Sequence, residues 1–470
     1  MSILSRLGLF LALTLSAGAM AMNQGLYFHN QSLRLQSDRP EDQRLKLRPD
    51  GTLRVMEKFT FNQKLNHAST EAKTFKQRYF VDSQYATGLD APVFYIICGE
   101  WNCAGTASYS FVEGLAKKFK AHLIALEHRY YGESLPTTNL TTGNLSYLRL
   151  SFAVEDLAKF QRFMVNTKGY KGPWVAFGGS YAGTLAAYYR FKHPELVIGA
   201  LASSAPVFAK TEFNEYDAHI AKVVNRSSCG DKIREAVGLI EKRLETPEGS
   251  RALKELFRSS DIPDDEDFLY AVADMVAAAV QYGRDKVFCD AIDANQDVVE
   301  GYAKGGLAVL SSMGAKPSEI ALSSALKVDV TPSENMRQWM WQSCQEFGWF
   351  QVANGEGRST SRSLRVNLDY HQRICKRLYN VRLRADGSIN RSWYFPMLDP
   401  KTSRIIFTNG SNDPWLTLSV VPKDEPAHGH FDLLMMEGAA HCNDLRAVTQ
   451  LPSVMEAQLR IEGIVADWLR

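Results

Sequence analysis

Gly178-Gly179-Ser180-Tyr181-Ala182-Gly183 lies between a short apolar run, Trp174 to Phe177, and a segment from Thr184 to Phe191 that reads as a helix. A strand, a sharp turn with serine at its apex and a helix form the pattern of a nucleophile elbow. Such a turn strains the serine backbone, so its neighbours must be small, and Gly178, Gly179, Ala182 and Gly183 are. The hydroxyl is thereby lifted clear of the sheet, while the N–H of Tyr181 is aimed where an oxyanion would develop. Gly-Gly-Ser also occurs in ordinary loops, so the surrounding pattern must carry the reading.

A serine hydroxyl is a weak nucleophile at neutral pH; a histidine must take its proton and a carboxylate must fix the histidine tautomer. With a strand-elbow-helix nucleophile, the acid and then the histidine follow on loops after late strands. After the run Arg404 to Thr408 comes Asn409-Gly410-Ser411-Asn412-Asp413-Pro414-Trp415, and after Phe431 to Met436 comes Glu437-Gly438-Ala439-Ala440-His441-Cys442-Asn443-Asp444. Asp413 and His441 are therefore the candidates. His428 and His430 precede the strand rather than follow it, and Asp444 lies past the histidine, where capping or salt bridging is its expected task. A second oxyanion donor is expected from the loop after an early strand, Cys98-Gly99-Glu100-Trp101-Asn102-Cys103, through the N–H of Gly99 or Glu100. A local Cys98–Cys103 disulfide closing that turn is an alternative that does not exclude this role.

The elements that must position these residues are legible as well. Val93 to Cys98, His122 to Leu126, Trp174 to Phe177 and Gly199 to Ala202 read as strands buried on both faces of a parallel sheet. Thr74 to Val81 reads as an earlier, antiparallel strand. Ser151 to Val165 reads as a helix capped by Ser151, with Glu155 and Asp156 suited to its first turns. After Ala205-Pro206 the pattern turns to long amphipathic helices, among them Asp231 to Leu244, Arg251 to Phe257 and Leu269 to Val280. Strand-like runs resume near 404, and Met455 to Leu469 reads as a final helix. Alternating strands and helices imply an α/β sheet. The expected division is 22–208 as the first part of the α/β core, 209–394 as an inserted helical block and 395–470 as the second part.

The 470 residues carry 54 basic and 52 acidic side chains, a net charge of +2. With no stretch that gathers Lys and Arg on one face, nucleic acid and anionic membrane are not expected partners. Arg6, the apolar run Leu7 to Leu15 and Ala19-Met20-Ala21 read as a signal peptide over 1–21, with no later membrane span. The expected location is secreted, periplasmic, or a lysosomal or vacuolar lumen. Seven cysteines suit such a compartment, and none has zinc spacing, so disulfides are favoured over metal and no cofactor is expected. Six N-x-S/T sequons begin at Asn30, Asn139, Asn144, Asn225, Asn390 and Asn409.

Together with the elbow, Glu127-His128-Arg129-Tyr130-Tyr131-Gly132-Glu133-Ser134, Trp341 to Trp349 and Asn409-Gly410 with Asp413-Pro414-Trp415 resemble the serine peptidase family of prolyl carboxypeptidase, dipeptidyl peptidase II and thymus-specific serine protease. The resemblance runs from about Phe59 to the C-terminus. It implies an α/β-hydrolase fold with a mostly helical cap inserted between core strands, and exopeptidase action beside proline. Ser180 falls on the family nucleophile, Asp413 on its acid and His441 on its base. Trp415 and Trp349 fall where apolar residues line the proline pocket. Cys344 with Cys375 resembles a pairing in the family's cap, Cys229 with Cys289 is left as a second pair, and one of Cys98, Cys103 and Cys442 should be free. The implied partners are proline-containing peptides, with a homodimer left open.

The chain departs from the family pattern in three places. Ala182 stands where glycine is usual, Trp101 ends an altered early loop, and Thr184 stands where an aromatic or methionine-like pocket residue is expected. Trp101 and Thr184 should therefore reshape substrate preference. Which end of a peptide is recognised stays open, as do two other readings: a serine carboxypeptidase of the wheat and yeast type, and an inactive peptide-binding protein that keeps the fold.

Overall fold

The computed structural model describes residues 56–470 except 104, 106–109, 332–334, 356, 423–429 and 447–449. The expected signal segment, the sequon at Asn30 and His428 lie outside the described residues.

One eight-stranded sheet organises the chain. Its strands are β1 (Glu57–Lys64), β2 (Thr74–Asp82), β3 (Val93–Ile97), β4 (His122–Leu126), β5 (Trp174–Gly179), β6 (Gly199–Ser203), β9 (Ile405–Gly410) and β10 (Asp432–Met436), in spatial order β1-β2-β4-β3-β5-β6-β9-β10. The β1/β2 and β2/β4 pairings are antiparallel, and from β4 to β10 every pairing is parallel. β3, β4, β5, β6 and β9 are buried along their whole length, which is why they read as continuous apolar runs rather than alternating ones. β6 and β9 are neighbours in register, Ala202 opposite Phe407. The chain between them is mostly helical and carries a small two-stranded parallel sheet of β7 (Lys210–Glu212) and β8 (Gly348–Phe350). Sheet order, parallel core and flanking helices are those of an α/β hydrolase.

Two local readings are corrected. The helix Leu150–Phe163 starts one residue before Ser151, and its N-cap position, Arg149, offers no side-chain bond. The Leu150 N–H is instead taken by Glu346 Oε2 at 2.8 Å, so a carboxylate from the helical block caps a core helix. Asp156 does not serve the helix terminus either; it is buried and holds Arg129 Nε at 2.7 Å. Asn390 and Asn409 are also buried: the Asn390 amide bonds both backbone groups of Ala209, and Asn409 donates to the Val420 carbonyl. In the folded chain neither sequon presents its amide to solvent.

Candidate active site

Ser180, Asp413 and His441 each follow the C-terminal end of a parallel strand, β5, β9 and β10 respectively, on the edge where such sheets place their chemistry. Ser180 has φ 59° and ψ −132°, the strained conformation expected at an elbow apex, and its N–H donates to the Ser203 carbonyl at 2.8 Å. The helix Tyr181–Lys192 begins directly after it, so the Tyr181 N–H is an N-terminal helix donor without an intrahelical acceptor. A Cβ on Gly179 would stand 3.1 Å from Cys442 Sγ. The residue before the candidate nucleophile therefore packs on the residue after the candidate base.

Asp413 and His441 are both fully buried, and the His441 Nδ1–H donates to Asp413 Oδ2 at 2.7 Å. Asp413 Oδ1 accepts from the Trp415 N–H at 3.0 Å, and the His441 N–H donates to the Gln281 carbonyl at 2.9 Å. With Nδ1 protonated toward Asp413, the other ring nitrogen, Nε2, is the one left to act as a base, and it has no hydrogen-bond partner. Burial alone would lower the imidazole pKa; the Asp413 carboxylate outweighs it and holds the ring well above its ordinary value. Asp444 acts as a brace: it accepts from Ser203 Oγ at 2.5 Å and Thr408 Oγ1 at 2.8 Å, tying β6 to β9 beneath the histidine loop.

The early loop lies against the elbow. Cys98 and Cys103 are bonded, and the Trp101 ring comes within 2.9 Å of where a Cβ on Gly99 would be, with the Ala182 methyl 3.3 Å away. Glycine is required at 99 by that close approach, while the methyl at 182 fits. The loop is fixed from below by Glu127, whose buried carboxylate pairs with Arg78 and accepts from the Cys103 N–H at 3.0 Å, the Glu133 N–H at 3.0 Å and Ser134 Oγ at 2.7 Å. The other cysteines pair as Cys229–Cys289 and Cys344–Cys375, leaving Cys442 as a free, buried thiol.

Sequence reading missed a polar chain that holds the Tyr181 ring. Burial drives His128 down to about 4, so its imidazole is neutral. Its Nδ1–H donates to the Arg129 carbonyl at 2.7 Å, which leaves Nε2 to accept from the Tyr181 hydroxyl at 3.1 Å. Gln342 Nε2 donates to the same hydroxyl at 2.8 Å, and Gln342 Oε1 accepts from the Tyr131 hydroxyl at 2.6 Å. The blocks around 128 and 342, which also carry the family resemblance, thus converge on the residue after Ser180; nothing local in either block marks the partner it meets.

A cavity of about 140 Å³ opens beside these residues, between the core and the helical block. Trp349 and Trp415 line it with ring centroids 5.9 Å apart at 81°, as does Glu100. Phe347 stacks on Trp349 at 4.3 Å, and the Trp415 indole donates to Gln281 Oε1 at 3.0 Å. Tyr282 lines the cavity with its ring 6.3 Å from that of His441. Thr184 and Trp101 do not line it. The Thr184 hydroxyl faces inward and donates to the Pro206 carbonyl at 3.1 Å, and the Trp101 ring is spent on the loop. Neither side chain can therefore reshape this cavity by direct contact.

The sequence model of a family described as Serine carboxypeptidase S28 matches residues 63–458. Among curated proteins, the chain is 34% identical to "Probable serine protease EDA2" of Arabidopsis thaliana, covering 85% of this chain and 83% of that one. It is 29% identical to "Thymus-specific serine protease" of Mus musculus, covering 86% and 85%. It is 28% identical to "Lysosomal Pro-X carboxypeptidase" of Bos taurus, covering 90% and 89%.

Proposed function

The chain belongs to the serine carboxypeptidase S28 family and is a serine-type peptidase, and from that premise we propose that it is an exopeptidase that cuts peptides next to proline, with Ser180, His441 and Asp413 as its triad. The observation that carries the reading is the buried His441–Asp413 bond with Nε2 left unpartnered beside the elbow. Ser180 Oγ attacks the scissile carbonyl as its proton passes to His441 Nε2. The Tyr181 N–H, with that of Gly99 or Glu100, stabilises the oxyanion. Collapse of the tetrahedral intermediate breaks the C–N bond, and His441 returns the proton to the leaving amine. Water, deprotonated by His441, then hydrolyses the ester.

Trp349 and Trp415 line the cavity with flat aromatic rings nearly at right angles to each other, a surface that suits a ring lacking an N–H and makes proline the favoured occupant. The helical block roofs this cavity and is read as a cap that limits access to peptide ends. A lysosomal or secreted location accords with the "Lysosomal Pro-X carboxypeptidase" relative and with three disulfides. Among the described residues no helix is long and apolar enough to cross a membrane. The test is Ser180→Ala: turnover of proline peptides and covalent labelling by a fluorophosphonate should both vanish in a protein with unchanged thermal unfolding. Retained turnover would refute the assignment of the nucleophile.

A further inference from the structure

The side chains lining the cavity beside the triad include three carboxylates, Glu100, Asp274 and Glu319, and among the described residues no lysine or arginine. The one histidine on its wall, His371, is driven down to about 3 by burial and is neutral. Arg362 acts on Asp274 from behind the wall; it pairs with Asp217 at 3.5 Å and its Nη1 donates to the Gln351 carbonyl at 2.6 Å, while its Nε and Nη2 have no hydrogen-bond partner among the described residues. Two further atoms point to a ligand. Glu100 is only 8% exposed, and its Oε2 is buried without a hydrogen-bond partner. Asn335 is 4% exposed, and neither atom of its amide has one. Buried polar atoms left in this state are costly unless a bound group completes them.

We infer that this cavity receives the free amino end of a peptide, its ammonium held among Glu100, Asp274 and Glu319 with the Asn335 carbonyl oxygen as a further acceptor. An ammonium brings three donors and a positive charge to a wall of acceptors. A peptide carboxylate would bring further negative charge to the same carboxyl-lined wall, which itself carries no lysine or arginine to meet it. Glu100 connects this recognition to the reaction: it belongs to the loop that packs on the elbow, and its carboxylate lies within electrostatic reach of His441. The acyl fragment esterified to Ser180, which lies N-terminal to the cut in any serine peptidase, is then the short amino-terminal piece held in the cavity, and the long remainder of the peptide leaves as the amine. The inference rests on Ser180 as the nucleophile and concerns which end of the substrate is read, independently of proline preference.

The test compares, on the full chain, Gly-Pro p-nitroanilide, its N-acetylated form, Gly-Ala p-nitroanilide, and an N-blocked Pro-Phe peptide with a free carboxylate. The inference expects kcat/KM to fall about 100-fold or more on acetylation, as loss of one partner of a buried charge pair implies. In Asp274→Asn the ratio of free-amine to acetylated kcat/KM should shrink about tenfold or more; a ratio taken within one protein is insensitive to the fraction folded. Equal turnover of free and acetylated reporters would overturn the inference, as would release of phenylalanine from the blocked peptide as the main activity. So would inert free-amine reporters in protein whose Ser180 reacts with a fluorophosphonate. If Gly-Ala p-nitroanilide is cut as well as the proline reporter and acetylation still abolishes turnover, the amino-end inference stands and the proline reading fails.

Discussion

Asp413 serves a side chain and a backbone at once: one oxygen fixes the His441 tautomer, and the other accepts the Trp415 N–H and so sets the strand-to-cavity turn. Asp413→Asn should keep that turn while presenting an amide to Nδ1, which favours the wrong tautomer. The expected result is a fall in kcat of about four orders of magnitude, with an acid limb of kcat/KM moved to lower pH because the charge that raises the imidazole pKa is gone. A loss under tenfold, or an unmoved limb, would show that Asp413 does not orient the base. The positions of the candidates Ser180, Asp413 and His441 just past strand ends were legible because strand ends leave short, punctuated signatures such as Asn-Asp-Pro and Gly-Gly-Ser. Thr184 misled for the opposite reason. One turn into a helix buried on nearly all sides, residue type alone cannot say which face a side chain takes.

At the scale of elements, a buried ion pair holds the early loop that lies against the elbow. Glu127 sits at the end of β4 and gathers Arg78 of β2, the Cys103 N–H and the turn at Glu133 and Ser134. Glu127→Ala would leave the Arg78 guanidinium buried with only the partly exposed Glu133 as a counter-charge. Stability should drop by about 3–5 kcal/mol, read by denaturant unfolding, and fluorophosphonate labelling should slow as the Cys98–Cys103 loop loosens. Unchanged stability would mean that the pair is structurally neutral. The parallel strands were legible as uninterrupted apolar runs within a residue or two of their ends. The partners of Glu127, His128 and Gln342 were not, because such bonds join residues far apart in sequence, and no local periodicity encodes them. Glu346 capping a core helix from the helical block is the same kind of long-range fact.

For the molecule as a whole, burial makes folding sensitive to pH in a direction that can be worked out. Glu100 and Glu346 are raised to about 7 and Asp274 to about 6, each mainly by desolvation. Above their ordinary carboxyl range the unfolded chain ionises these groups while the native protein keeps them protonated. The stability they contribute is therefore lost as pH rises toward about 7. His441, raised by Asp413, works in the same sense: its contribution is present below the ordinary histidine range and is lost as pH rises above it. His128 and His371, lowered to about 4 and about 3 by burial, work in the opposite sense, since only the unfolded chain takes up their protons as pH falls below the ordinary histidine range. Where the two windows overlap the terms largely cancel, and outside the overlap each acts alone. Thermal unfolding should thus be hottest in weakly acidic buffer, about pH 5–6.5, and cooler at both pH 8 and pH 4. A Tm that climbs steadily from pH 6 to pH 8 would contradict this. In the double variant Glu100→Gln/Glu346→Gln the carboxyl terms that oppose the histidines between 4.5 and about 7 are gone, so the optimum should move up toward about pH 6.5 while the loss at pH 4, which belongs to the histidines, stays as it was.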